Sequence, residues 1–141
     1  MEFILHPQLA ADTLPVGEAP LCRVLLMNDA RYPWVILVPR RHGLREIHEL
    51  DDEAQHALLR ESVILGRALL PLFVGDKLNV AALGNVVSQL HLHHVVRSAT
   101  DAAWPAPVWS HGQAVAYAAD AARERIGQIR AALPRAWQER A

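Results

Sequence analysis

The chain alternates between apolar runs of strand length and two longer stretches with helical periodicity. His6-Pro7-Gln8-Leu9-Ala10-Ala11-Asp12 predicts one helical turn with proline early in it, where the missing N–H is tolerated. Pro15, Gly17 and Pro20 predict a loop. Leu21 to Met27 (LCRVLLM) and Trp34 to Val38 (WVILV) are apolar and rich in β-formers. The turn-like Asn28-Asp29-Ala30-Arg31-Tyr32-Pro33 between them predicts a hairpin. Pro39 ends the second strand, and Arg40-Arg41-His42-Gly43 reads as a loop.

Asp51 is a suitable helix N-cap, with Asp52 and Glu53 at the positive end of the helix it starts. Ala54, Ala57, Leu58, Leu65, Ala68, Leu69 and Leu72 share one helical face, and Pro71 predicts that the regular helix stops near Leu70. Lys77 to Leu83 predicts a third strand, Gly84-Asn85 a turn, and Gln89 to Val96 a fourth strand. The segment with Trp104, Pro105, Pro107 and Trp109 is expected to be ordered, because its indoles need packing partners. A last helix is predicted from Gly112 to Leu133, with Val115, Ala118, Ala122, Ile126, Ile129 and Leu133 as its apolar stripe. Strands, helix, strands, helix in that order predict an α+β fold, an antiparallel sheet with helices packed on it.

A length of 141 residues favours one domain, 1–141, with enough apolar content (52%) for a core without staples. A net charge of −1 gives no overall attraction to nucleic acid or to a membrane, so neither partner is expected. Arg23, Arg31, Arg40, Arg41, Arg45 and Arg97 can still gather locally around an anion. Cys22 is the only cysteine, which rules out an internal disulfide and a cysteine-based zinc site. The start of the chain lacks the pattern of a secretory leader, and no apolar run reaches the length of a membrane span. A cytoplasmic protein is the expectation.

The chemistry concentrates in Gln89-Leu90-His91-Leu92-His93-His94-Val95-Val96. Strand alternation puts Gln89, His91 and His93 on one face and Leu90, Leu92, His94 and Val96 on the other. Two histidines on one face can bind a metal, act as acid and base, combine a nucleophile with an anion holder, or be structural. A metal needs a third ligand, no carboxylate lies nearby in sequence, and His94 points away. There is no Ser-His-Asp logic around Ser88 and no Gly-rich phosphate loop.

The segment resembles the signature of the histidine triad (HIT) superfamily, His-φ-His-φ-His-φ-φ with φ apolar. Gln89 stands at the first triad position, His91 at the second and His93 at the third. Val35-Ile36-Leu37-Val38-Pro39-Arg40-Arg41-His42 also resembles that family's strand, proline, basic residues and histidine. Gly84-Asn85 stand where it has small or amide residues, and Trp104-Pro105 resemble a tail found in many members. The match spans roughly residues 21 to 110, in the family order. Two departures stand out. Glutamine at 89 keeps hydrogen bonding but loses proton relay, and Trp34 falls where many members carry another histidine. His94 occupies a place that is usually apolar.

The resemblance implies a sheet of about four to five strands with one long central helix and a C-terminal helix. It implies a homodimer and a nucleotide hydrolase or transferase that uses no cofactor and no metal. In that chemistry His91 attacks an α-phosphate to form a nucleotidyl-histidine, and the adduct is then hydrolysed or passed to an acceptor. The substrate is a nucleotide conjugate of the dinucleoside polyphosphate or nucleoside phosphoramidate type. His93 is expected to donate to a phosphate oxygen, and Gln89 to do the same or hold the leaving group. Asn28 or Asp29 is expected near the ribose, Asn85 and the backbone at Gly84 to supply donors, and His42 and Arg97 to meet the substrate. A nucleotide-binding module with little turnover is the alternative that Gln89 and Trp34 keep open.

Overall fold

The computed structural model describes residues 1–138. Helix α1 (Pro7–Asp12) leads into β1 (Thr13–Glu18), then β2 (Cys22–Met27) and β3 (Trp34–Pro39) form the predicted hairpin. Helix α2 (Asp52–Leu72), β4 (Lys77–Ala81), β5 (Leu92–Arg97) and α3 (Ala119–Ala132) follow. The five strands make one antiparallel sheet in the order β1-β2-β3-β5-β4, so β5 is an interior strand, paired on both sides by β3 and β4. The fold is α+β, with a long central helix and a C-terminal helix.

Each face of the sheet carries its own apolar cluster. On one face Val24, Leu26, Val35, Leu37, Leu92 and Val96 meet Leu58, Leu65 and Leu69 of α2 and Ile129 of α3. Burying each leucine contributes about 1.5–3 kcal/mol relative to leaving it exposed. Glu61 fills the gap that the apolar stripe leaves between Leu58 and Leu65. Its carboxylate is buried, and its two oxygens accept the backbone N–H groups of Leu21 (2.8 Å) and Cys22 (2.9 Å). Burial, and then the charge of Glu61, push the Cys22 thiol far above its ordinary pKa. On the other face Leu25, Trp34, Ile36, Val38 and Val95 are covered by Leu9, Phe3 and Leu5 from the N-terminal segment and by Ala103, Val108 and Trp109 from the loop after β5.

Four elements differ from the sequence expectation. Residues 13–18 form β1 instead of a loop. Proline is admissible there because β1 is an edge strand, and the register shifts between Pro15 and Gly17. Gly17 is required by close approach, since a Cβ at that position would collide with the backbone of Trp137. The central helix continues to Leu72, because Pro71 sits in its last turn, where little helix remains to be disrupted.

The C-terminal helix starts at Ala119 instead of Gly112. The side chains of Asn28 and Asp29 accept the backbone N–H groups of Tyr117 (2.9 Å) and Val115 (3.3 Å), and the Ala30 N–H bonds the Val115 carbonyl (2.6 Å), which holds this stretch extended against the hairpin turn. Val115 and Ala118, expected in the helical stripe, are exposed. The fourth predicted strand begins at Leu92 instead of Gln89, since ladder pairing ends at Leu37↔Leu92 on one side and Ala81↔His93 on the other. The alternation of faces nevertheless extends upstream: Leu90 joins the helix-side cluster and His91 lies beside His93.

Candidate functional site

The site is built where β5 emerges from its ladder. His91 and His93 lie on the face away from α2, with ring centroids 4.8 Å apart, and both are buried at 7% and 4% exposure. His91 Nδ1 is 2.7 Å from the backbone carbonyl of Gln89. A carbonyl only accepts, so Nδ1 carries the proton and Nε2 presents a lone pair when the ring is neutral. His93 has the opposite arrangement: Trp34 Nε1–H donates to its Nδ1 at 2.9 Å. Indole nitrogen only donates, so neutral His93 carries its proton on Nε2. Burial, and then the neighbouring His91 and His94, lower the pKa of His93 to about 3, which keeps it neutral. The pair therefore presents one unprotonated nitrogen and one N–H donor on adjacent rings.

Trp34 reaches His93 because the register pairs Trp34 with Val95, which puts Trp34, His93 and Val95 on one face. Trp109 closes the cluster from the loop after β5, edge-on to both His93 (5.4 Å) and Trp34 (5.9 Å). Its indole N–H is buried without a partner. Trp34 and Trp109 also wall a cleft of about 360 Å³ with Met27, Asn28, Asp29 and Arg31. Asp29 lies under this cleft. Burial alone would raise its pKa, but hydrogen bonds from Arg31 and from the Val115 backbone hold the carboxyl below its ordinary range. Arg31 forks onto it at 3.0 and 2.8 Å and bonds the His111 carbonyl at 2.6 Å. Asn28 uses its oxygen on Tyr117 N–H.

Gln89 holds the N-terminal segment. Its side-chain nitrogen donates to the Ile4 carbonyl (2.9 Å), and its oxygen accepts the His6 N–H (2.8 Å). The amide of the first triad position thus holds a strap, residues 4–6, through both its oxygen and one N–H. Gln89 and Gly84 share a small crevice with His91, Arg45 and Glu46, and Gly84 adopts φ 80°, which suits glycine. Asn85 is exposed and lines neither space.

His42 is exposed and lies in a separate groove with Arg41, Glu49 and Asp51. Arg97 is buried, and its guanidinium is taken up by Asp101 (2.8 and 3.0 Å), Asn79 (2.9 Å) and the Ala106 carbonyl (2.8 Å). Four of its five N–H groups tie the loop after β5 to the sheet, and the side chain is buried away from the cleft. Among the described residues no three His, Cys, Asp or Glu side chains are grouped to hold a metal ion. No helix there is long and apolar enough to cross a membrane.

The indole N–H of Trp34, the position of Trp109 and the strap were not read from the sequence. Strand parity (Trp34, Ile36, Val38 on one face) carried a signal for the first. The other two depend on contacts between segments far apart in the chain.

A family model described as HIT domain matches residues 8–100. A histidine triad protein from Bradyrhizobium japonicum is 43% identical, with 95% of this chain and 100% of that chain covered at a TM-score of 0.93. One from Marinobacter aquaeolei is 53% identical, with 94% and 97% covered at 0.92. A hypothetical histidine triad nucleotide-binding protein from Sulfolobus tokodaii, 16% identical over 85% and 83%, shares the fold at a TM-score of 0.66. No match was found among curated proteins.

Proposed function

Because this chain belongs to the HIT domain family, we propose that it binds a nucleotide conjugate and cleaves it at the α-phosphate through a nucleotidyl-histidine on His91. The observation that carries this reading is the pair of tautomers: His91 with Nε2 free, fixed by the Gln89 carbonyl, beside His93 with Nε2–H. The His91 lone pair forms an N–P bond while the bond from phosphorus to the leaving group breaks. The leaving group departs with the bonding pair and takes a proton from solvent water. The His93 N–H stabilises charge on a phosphoryl oxygen without itself titrating. Water, or another acceptor, then attacks phosphorus, the N–P bond breaks, and nucleotide is released with His91 regenerated.

In this reading the nucleoside occupies the cleft walled by Trp34 and Trp109. Asn28 offers its side-chain N–H₂ to the ribose, and Asp29 with Arg31 forms the floor. Backbone donors at Gly84-Asn85 face the leaving-group side. His42 and Arg97 have no direct role, given where their side chains lie. Dinucleoside polyphosphates and nucleoside phosphoramidates are the substrate classes. The working unit is a homodimer, supported by the unpaired edge of β4 with Val80 exposed and by Leu59, Val63 and Ile64 exposed on α2.

A second reading, a nucleotide-binding module with little turnover, is favoured by glutamine at the first triad position, which gives up no proton to a leaving group and is bonded to the strap. The test is release of nucleoside monophosphate from a panel of both substrate classes, with His91→Ala alongside. Turnover by wild type, with loss of at least about 10⁴-fold in a folded variant that still binds nucleotide, supports the enzyme. Unchanged turnover in the variant removes His91 as nucleophile. Binding without release by wild type supports the module.

A further inference from the structure

We infer that Trp34 is a positioning residue whose indole N–H locks His93 in the Nε2–H tautomer, giving the site a hydrogen-bond donor that does not titrate. Only the use made of that donor rests on the nucleotidyl-transfer reading; the lock itself is a property of the fold.

Three observations support it. The Trp34 Nε1 to His93 Nδ1 distance is 2.9 Å within a buried cluster, so the lone pair that would take a proton is already occupied by a donor. Trp34 is itself immobilised, edge-on to Tyr32 (6.3 Å) and Trp109 (5.9 Å). Among the described residues, the groups whose charge acts on His93 are His91 and His94, and no acid is among them. From β3 it faces Trp34 and Ile36, from β4 Ala81, and from the loop after β5 Trp109. The titratable groups near it are His91 on the same face, His94 at the next position on the opposite face, and His6 on the strap held by Gln89. Farther along the strand Arg97 is neutralised by Asp101. A positive ring would meet only other imidazoles, which agrees with the pKa of about 3 that burial imposes. An imidazole in place of the Trp34 indole would gain and lose protons near neutrality, whereas the indole N–H is a permanent donor.

The arrangement separates two jobs. His91 presents the lone pair on Nε2, and His93 stays a neutral donor. A proton bound to Nδ1 of His93 would have to break the Trp34 bond first, and the alternative tautomer would aim two N–H groups at each other.

The experiment is nitrogen-resolved NMR on the ¹⁵N-labelled full chain, with pH–rate profiles on wild type and Trp34→Phe. Phenylalanine keeps an aromatic ring in the cluster and removes the N–H. In wild type, scalar coupling across the N–H···N bond between Trp34 and His93 is expected, with His93 unprotonated at Nδ1 from pH 8 to pH 5. In Trp34→Phe the lone pair is released, so His93 titrates at higher pH. The Nδ1–H tautomer, which offers no donor at Nε2, becomes accessible, so kcat on the neutral side of the pH–rate profile falls about tenfold with KM changed less than threefold. The inference is overturned if wild-type His93 carries its proton on Nδ1, or if His93 titrates identically in both proteins. Should Trp34→Phe fail to fold, the wild-type coupling and tautomer decide the lock by themselves. A locked His93 in a protein that turns over no nucleotide conjugate would uphold the lock and remove the proposed reaction.

Discussion

Strand β5 carries two adjacent histidines that the pleat sends to opposite faces, and the environments they meet are instructive to compare. His94 is fully buried under α2, with Nε2 2.7 Å from Ser62 Oγ and Nδ1 3.1 Å from the Leu92 carbonyl. His93 is nearly as buried on the other face, with Nδ1 held by Trp34. Burial leads in lowering both, to about 4 for His94 and about 3 for His93. Depth and pKa therefore do not tell the two apart. What does is the remaining nitrogen: both of His94's are closed by the protein, while the Nε2–H of His93, beside His91, has no partner among the described residues. The proposed site is distinguished from the structural histidine by that unfilled hydrogen-bonding valence.

The sharpest way to break the comparison is to remove each ring. His93→Ala is expected to lower kcat by about 10²–10³-fold, as loss of a charge-stabilising donor does. His94→Ala is expected to leave kcat within about threefold and to destabilise the fold by about 2–4 kcal/mol, since it opens a cavity and orphans Ser62 and the Leu92 carbonyl. Equal kinetic losses in the two variants, measured on protein of matched folded fraction, would end the distinction drawn between the faces.

The helix-side face can be tested on its own through Glu61. Glu61→Gln substitutes an N–H₂ for one of the two oxygens that accept the Leu21 and Cys22 backbone N–H groups. A loss of about 2–3 kcal/mol in urea unfolding is expected, with nucleotide release unaffected at 25 °C.

Acid sharpens what the two histidines share. Each folded-state pKa lies below the ordinary 6.5, so the unfolded chain binds more protons as pH falls. The stability from keeping the rings neutral is complete above pH 6.5 and is lost on descending towards about 4 for His94 and about 3 for His93. Replacing either ring with alanine should reduce the slope of stability against pH in that window by about 1.4 kcal/mol per unit. Urea midpoints from pH 7 to 4.5 that run parallel in wild type and both variants would contradict this.

The smallest effect is expected at Gln89. Its resemblance to a triad position suggests that Gln89→His restores a commoner chemistry. The geometry adds that histidine cannot replace both strap bonds, to the Ile4 carbonyl and the His6 N–H. The expected result is turnover within about fivefold of wild type with faster amide exchange at His6 by about tenfold. Unchanged exchange would mean that the strap is held by Phe3, Leu5 and Leu9 without the amide.

The pattern of apolar positions was enough for the hairpin, the central helix with its Asp51 cap, and the parity that separates His91 and His93 from His94, because those features follow from local periodicity. It misread residues 13–18, because an edge position admits Pro15 through sheet context, which local sequence does not carry. It also misread residues 112–118, because their backbone N–H groups are captured by Asn28 and Asp29, more than eighty positions away in the chain. The Gln89 carbonyl as partner of His91, the Trp34 bond to His93, the strap on Gln89 and the diversion of Arg97 to Asp101 are likewise tertiary. By itself, then, the sequence determined the fold class, the HIT resemblance and the identity of the two imidazoles. The tertiary structure decided which nitrogen of each imidazole is free, because a ring's tautomer is set by the hydrogen-bond partner that packing brings to its other side.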